Sequence, residues 1–230
     1  MDDATRLNVL AHYVAERVIE GQTLGLGTGA TAEAVIRAIG ARVANGLQVR
    51  GVATSLKSAA VAERAGIGLV ELDAFSRIDL GIDGADEIDS HLNVVKGRGG
   101  ALLHEKLVAL ACADYWIAGS SEKLVAQLGT RLPLPVEVVP FGWSVTAQHL
   151  AALGATATLR TIAAGHETAP FVTDSGNFIV DCATGPIDNP HALAAAIKAV
   201  PGVVEHGLFL DLARRVITVD AVGQIEVRRR

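Results

Sequence analysis

The sequence predicts an α/β protein, with a Rossmann-like, mostly parallel sheet flanked by helices and a smaller ferredoxin-like α+β domain. Three observations carry this expectation. Short apolar runs alternate with helical stretches of about ten residues through the first half of the chain, the signature of βαβ units. A proline-rich crossing, Leu132-Pro133-Leu134-Pro135, then interrupts the pattern. Beyond it the order becomes β-α-β-β-α-β, the ferredoxin-like arrangement.

Each element has a local reason. Leu7, Leu10, Val14 and Val18 recur at helical spacing, so an amphipathic helix opens the chain and ends near Gly21. Strands are expected at residues 23–27, 47–53, 67–72, 78–82 and 115–118. Helices are expected at 31–39, ended by Gly40, and at 55–65 and 100–113. After the crossing come a strand at 136–139, a helix at 145–153 and β segments around 157–160 and 177–181, with a glycine-containing turn between them. A helix over 191–200 is begun by Pro190, and a strand follows at 202–205. Residues 208–219 read as strand returning to the main sheet. The expected domains are 1–131 plus 208–230 for the larger, and 132–207 for the smaller.

Composition narrows the function classes. Of 230 residues half are hydrophobic and 20% charged, enough apolar material for a sizeable core. The net charge of −5 argues against broad nucleic-acid or acidic-membrane binding, and Arg228-Arg229-Arg230 reads as a frayed, solvated tail. Cys112 and Cys182 sit among apolar or small residues and read as buried thiols in a reducing compartment, not as a disulfide framework or a metal site. No signal-peptide pattern occurs, and no apolar run approaches the roughly 20 residues that span a bilayer. A soluble, cytoplasmic protein with no nucleic-acid or membrane partner is expected.

Gly25-Leu26-Gly27-Thr28-Gly29-Ala30-Thr31 joins the first strand to a helix. Glycines there allow close backbone approach, and free N–H groups at a helix N-terminus attract an anion. Gly25, Gly27 and Ala30 satisfy one form of the dinucleotide fingerprint, which also wants an acidic residue ending the next strand. That strand ends in Ala53-Thr54-Ser55 instead. A monophosphate cradle is therefore expected, not a nicotinamide site, with Thr28, Thr31, Thr54, Ser55 and Ser58 as hydroxyl donors.

The densest chemistry lies at Asp83-Gly84-Ala85-Asp86-Glu87-Ile88-Asp89. Asp83 and Asp86 are three apart, so in a turn or first helical coil they share a face and invite general acid–base work. An acidic surface turn or a divalent-ion site are the alternatives. Glu87 and Asp89 read as solvent or helix-end charges. None of the seven histidines has an evident ligand spacing to another, so no metal is expected. Lys96-Gly97-Arg98-Gly99-Gly100 sets a compact cation in flexible backbone, suited to a developing oxyanion, while Arg98 reaches either a phosphate or water. His104 and Glu105 follow on a helix and diverge by about 100°, so at most one faces a site. Alone, Glu105 reads as a first-turn helix carboxylate and Lys123 as an exposed lysine near a helix start.

Together these motifs resemble the type A ribose-5-phosphate isomerases. The carrying residues are Gly25 to Ala32, Asp83 to Glu87, Lys96 to Leu102 with Glu105-Lys106, Leu132 to Val138, Thr173 to Asn177 and Pro201 to Val204, in family order and spacing over nearly the whole chain. The resemblance implies an aldose–ketose isomerase that interconverts D-ribose 5-phosphate and D-ribulose 5-phosphate in the non-oxidative pentose phosphate pathway. It implies a cis-enediolate intermediate with Glu105 as the base, and Asp83, Asp86 and Lys96 acting on the sugar. Thr28, Gly29, Ala30, Thr31, Gly84, Ala85, Gly97, Arg98, Gly99 and Lys123 are the further substrate contacts it implies. It implies no metal or organic cofactor, a phosphorylated pentose as small-molecule partner, and a homodimer or homotetramer. Four departures stand out: Arg98 where the family commonly has glycine, Ala30 where it often has serine, Ser120-Ser121-Glu122-Lys123 in place of Asp-x-Ser-Lys, and one extra residue between Gly129 and Pro133. A non-catalytic sugar-phosphate sensor with a similar glycine loop needs no base, whereas this chain keeps Glu105, both aspartates and Lys96. A coenzyme A-transferase relative differs in forming a glutamyl ester.

Overall fold

Residues 1–74, 77–164 and 167–230 are described by the computed structural model. They group into one unit of residues 1–85, 104–124 and 211–230 and another of residues 86–103 and 125–210. The chain begins with α1 (Asp3–Ala15), β1 (Thr23–Leu26), α2 (Ala30–Val43), β2 (Arg50–Ala53), α3 (Leu56–Arg64), β3 (Gly68–Leu69) and β4 (Ile78–Asp83). Next come β5 (Glu87–Ile88), β6 (Val94–Val95), α4 (Leu102–Ala111) and β7 (Cys112–Ser120). Then follow β8 (Leu134–Val138), α5 (Trp143–Ala151), β9 (Thr156–Leu159), β10 (Thr161–Ala164) and β11 (Glu167–Pro170). The remaining elements are β12 (Phe178–Ala183), α6 (Pro190–Lys198), β13 (Val203–His206), β14 (Leu208–Phe209), β15 (Arg215–Val219) and β16 (Ile225–Arg229).

The first unit is the expected mostly parallel α/β sheet. Its strand order is β16-β15-β7-β4-β1-β2-β3, parallel throughout except for β16. From β1 the chain steps outward through β2 and β3, then returns to the other side of β1 with β4 and continues through β7 and β15. The order therefore reverses between β1 and β4, and ligands of open α/β sheets bind beyond the strand carboxyl ends at such a reversal. Strands buried on both faces read as continuous apolar runs, and all of β1 is buried. Leu10, Val14 and Val18 at the start of the chain and Val35, Ile36 and Ile39 of α2 pack with Leu24, Leu26, Leu80 and Ile82 in the main core. Gly25 and Gly81 face each other in the β1–β4 register. A Cβ on Gly25 would lie 2.6 Å from Val108, and one on Gly81 2.5 Å from the Cys112 sulfur, so these glycines let α4 and its end lie close on the sheet.

In the second unit, β13-β8-β12-β9 form an antiparallel sheet accompanied by α5 and α6. Numbered along the chain this is the order 4-1-3-2, ferredoxin-like as expected. Its core gathers Leu134, Val136, Val138, Leu150, Val180 and Ile197. A small sheet, β14-β6-β5, belongs to the same unit.

Several local expectations are corrected. Gly40 does not stop α2, which continues to Val43. A Cβ there would lie 2.5 Å from that of Ala65, so Gly40 is a point of close contact and not a terminator. Residues 208–219 are not one strand. β14 pairs with β6, Asp211 adopts φ 60°, and only β15 joins the main sheet. The antiparallel pair β10–β11 has no sequence signal, because β10 is exposed on both faces and carries no alternation of polarity. The three C-terminal arginines are not a frayed tail. Arg228 and Arg229 lie in β16 paired with β15, Arg228 is bonded to Glu226, and the Arg230 N–H donates to the Arg214 carbonyl at 3.0 Å. Cys112 is only partly buried, whereas Cys182 is buried as expected. Desolvation pushes both thiols up to about 12. Among the described residues no helix is long and apolar enough to cross a membrane.

Candidate active site

The first unit brings the β1–α2 loop onto the end of β4. Asp83 is 1% exposed. Its Oδ1 accepts the Thr28 N–H at 3.2 Å and the Gly84 N–H at 2.7 Å. This packing requires glycine at 27, where a Cβ would fall 2.2 Å from Asp83 Oδ1. Thr31 sits over Gly84, and Ala85 is buried. Gly29, with φ 103°, is the N-cap of α2 and offers no side chain to its first N–H groups. Ala30 is exposed there.

The hydroxyls divide in function. Thr28 Oγ1 donates to Ser55 Oγ at 2.8 Å and lies 2.8 Å from Thr54 Oγ1. Ser55 and Ser58 exchange reciprocal side-chain to backbone bonds of 3.0 Å as the capping box of α3. Both are buried, as is Thr54. These three were expected as anion donors; instead they brace Thr28 and begin α3.

Glu105 lies in the first turn of α4 and is 4% exposed, while His104 is half-buried. The glutamate is thus the one of the pair turned inward, on the face that also buries Leu102 and Ala109. Tyr115 lies on β7, next to β4. Its hydroxyl donates to Asp83 Oδ2 at 3.3 Å. Burial first, then the negative charges of Asp83 and Glu105, push this hydroxyl well above its ordinary range. Motif reading missed Tyr115. Its signal was Gly81 inside an apolar strand, since a Cβ at 81 would come 2.7 Å from the tyrosine ring. Lys123 is half-buried, in the short 3-10 turn Ser121–Lys123, with its stem laid over Gly119.

The second unit holds Asp86 and the Lys96–Gly99 loop. No helical coil follows Asp83; the chain enters the short strand β5. Asp86 donates its N–H to the Val95 carbonyl at 2.8 Å, and its Oδ2 accepts the Arg98 N–H at 3.1 Å. Lys96 is 3% exposed, and its Nζ lies 5.6 Å from the Phe209 ring centroid. Gly97 is buried with φ 107°, while Arg98 and Gly99 are exposed. Glu87 and Asp89 are not solvent charges. Glu87 is fully buried and accepts the N–H groups of Gly129, Arg131 and Leu132 at 2.6–3.0 Å. Asp89 accepts the N–H groups of His91 and Asn93, both at 2.8 Å. An irregular backbone needs such acceptors when it is buried, which is why both carboxylates turn inward.

The chain is similar to known proteins over nearly its whole length. The family model described as ribose 5-phosphate isomerase A (phosphoriboisomerase A) matches residues 50–223. Ribose-5-phosphate isomerase A of Thermomicrobium roseum is 50% identical over 214 residues, covering 93% of this chain and 89% of that protein. The protein of the same name from Roseiflexus castenholzii is 47% identical over 229 residues, covering 99% and 97%. A solved D-ribose-5-phosphate isomerase in complex with phospho-erythronic acid superposes with a TM-score of 0.95 at 32% identity, with all of both chains covered.

Proposed function

The chain belongs to the ribose 5-phosphate isomerase A family, and from that premise we propose that it isomerises D-ribose 5-phosphate to D-ribulose 5-phosphate through a cis-enediolate, with Glu105 as the base, in the non-oxidative pentose phosphate pathway. The observation that carries the reading is the burial of Glu105 on α4 and of Asp83 at the end of β4, with the Tyr115 hydroxyl bonded to Asp83 and raised by the charges of both.

The barrier is removal of a weakly acidic C–H proton next to a carbonyl. Glu105 takes that proton from C2 and delivers a proton to C1, the carboxyl proton exchanging with solvent in a fraction of turnovers while the enediolate is held. Asp83 is held as an acceptor by two backbone N–H groups and by Tyr115. It orients the sugar hydroxyls and, with Asp86, carries protons during ring opening and between O1 and O2. Tyr115 stays protonated and keeps its donor on Asp83. Lys96 and loop N–H groups stabilise the enediolate oxygen. The uncapped start of α2, the Thr28–Thr31 loop and Lys123 receive the phosphate. Phosphate affinity far from the reacting carbons then orients them. The ligand of the solved relative, a phosphorylated acyclic sugar acid, supports an open-chain phosphosugar here.

The test is ketose formation from ribose 5-phosphate in deuterium oxide. Deuterium appearing at C2 of the aldose and C1 of the ketose over repeated turnovers is the expected result. Isomerisation with no solvent hydrogen entering either sugar would remove the enediolate, and absence of ketose would remove the activity.

A further inference from the structure

Arg160, between β9 and β10, is bonded to the loop that carries Lys96. Its Nε and Nη2 grip the two oxygens of Asp181 on β12, Nε reaching Oδ2 at 2.9 Å. Its Nη1 donates to the carbonyls of Gly97 and Arg98, each at 2.9 Å. Phe171 donates its N–H to the Arg160 carbonyl at 2.9 Å and packs on Gly100, where a Cβ would come 2.3 Å from the ring. Gly97 and Gly100 take φ of 107° and 78°. Glycines impose little conformation of their own, so the contacts around them decide the shape of the loop.

A trans peptide points its N–H opposite to its C=O. Pinning the Gly97 carbonyl therefore aims the Arg98 N–H, which meets Asp86 Oδ2 at 3.1 Å. Pinning the Arg98 carbonyl likewise aims the Gly99 N–H, which no group among the described residues accepts. One guanidinium, itself locked by a two-point carboxylate contact, thus sets two successive peptide planes. A lysine at 160 has no planar fork with which to hold Asp181 and both carbonyls together.

We infer that Arg160 is a positioning residue that holds the Gly99 N–H as a backbone donor to the enediolate oxygen. This rests on the isomerase reading above. Charge on that oxygen grows in the transition state, so a misplaced donor lowers kcat more than it raises KM.

The experiment measures kcat and KM for ribose 5-phosphate in Arg160→Met, Arg160→Lys and Asp181→Asn, with the melting temperature and the amide exchange of Arg98 and Gly99. Arg160→Met is expected to lower kcat about 10–10²-fold, to leave KM within about threefold, and to speed exchange at Arg98. Arg160→Lys recovers little of this, and Asp181→Asn loses kcat about two- to fivefold at unchanged KM. A lowered melting temperature with wild-type kcat per folded molecule overturns the role. If Arg160→Met does not fold, Asp181→Asn decides, and unchanged kcat in that variant overturns it. Active wild-type protein with indifferent variants removes only the positioning role, whereas inactive wild-type protein removes the isomerase reading as well.

Discussion

In the first unit, Asp83 and Glu105 are buried around one tyrosine, whose hydroxyl feels both negative charges. In the second, Glu87 and Asp89 are also buried, but each is surrounded by backbone N–H donors that belong to a turn or crossing it holds in place. Glu137 likewise accepts from the Thr173 hydroxyl and the Asn177 amide, both at 2.9 Å, and so closes the turn before β12. Burial is common to both regions and does not mark a reactive carboxylate. What distinguishes them is the company. Glu87 and Asp89 accept N–H groups of the turn or crossing they hold, whereas Asp83, besides two backbone N–H groups, accepts a tyrosine hydroxyl that also feels the charge of Glu105.

The largest test of that contrast is Glu105→Gln. It removes the proposed base while keeping the shape, so turnover should fall about 10²–10⁴-fold with the melting temperature near wild type. Near-normal turnover would place Glu105 with the structural carboxylates. Gly27→Ala should come next. The added methyl would lie 2.2 Å from Asp83 Oδ1, so the carboxylate or β1 must shift. A loss of about 10²-fold in kcat is expected from such a displacement, read by steady-state kinetics on folded protein. Unchanged kcat would show that the position of Asp83 does not matter. Glu87→Gln should have the smallest kinetic effect and a clear thermodynamic one. It sets an amide donor against backbone donors, so urea unfolding should report a loss of about 1–3 kcal/mol, with kcat of the folded fraction unchanged. Lost turnover at full stability would end the division of labour between the two regions.

Much of this was legible in local pattern. Alternating apolar runs and helices announced the parallel sheet, and Leu132-Pro133-Leu134-Pro135 marked the change of texture before β8. The motif singles out Asp83 and the family resemblance singles out Glu105, and both are buried. Gly40 misled because a glycine reads the same as a helix stop and as a contact point, and only the neighbour at Ala65 separates the two. Glu87 misled for a parallel reason: its donors lie more than forty residues along the chain, where no local rule connects them.

Local pattern set the element types, the family and the inventory of chemical groups, since side-chain periodicity, turn residues and motif spacing act over a few neighbouring positions. Which polar groups became neighbours was left to packing. Tyr115 reaches Asp83 across 32 positions, and Arg160 reaches Gly97 across 63. Such pairings depend on strand register and on how closely glycines let elements approach, which are properties of the packed chain and leave no periodic trace along it.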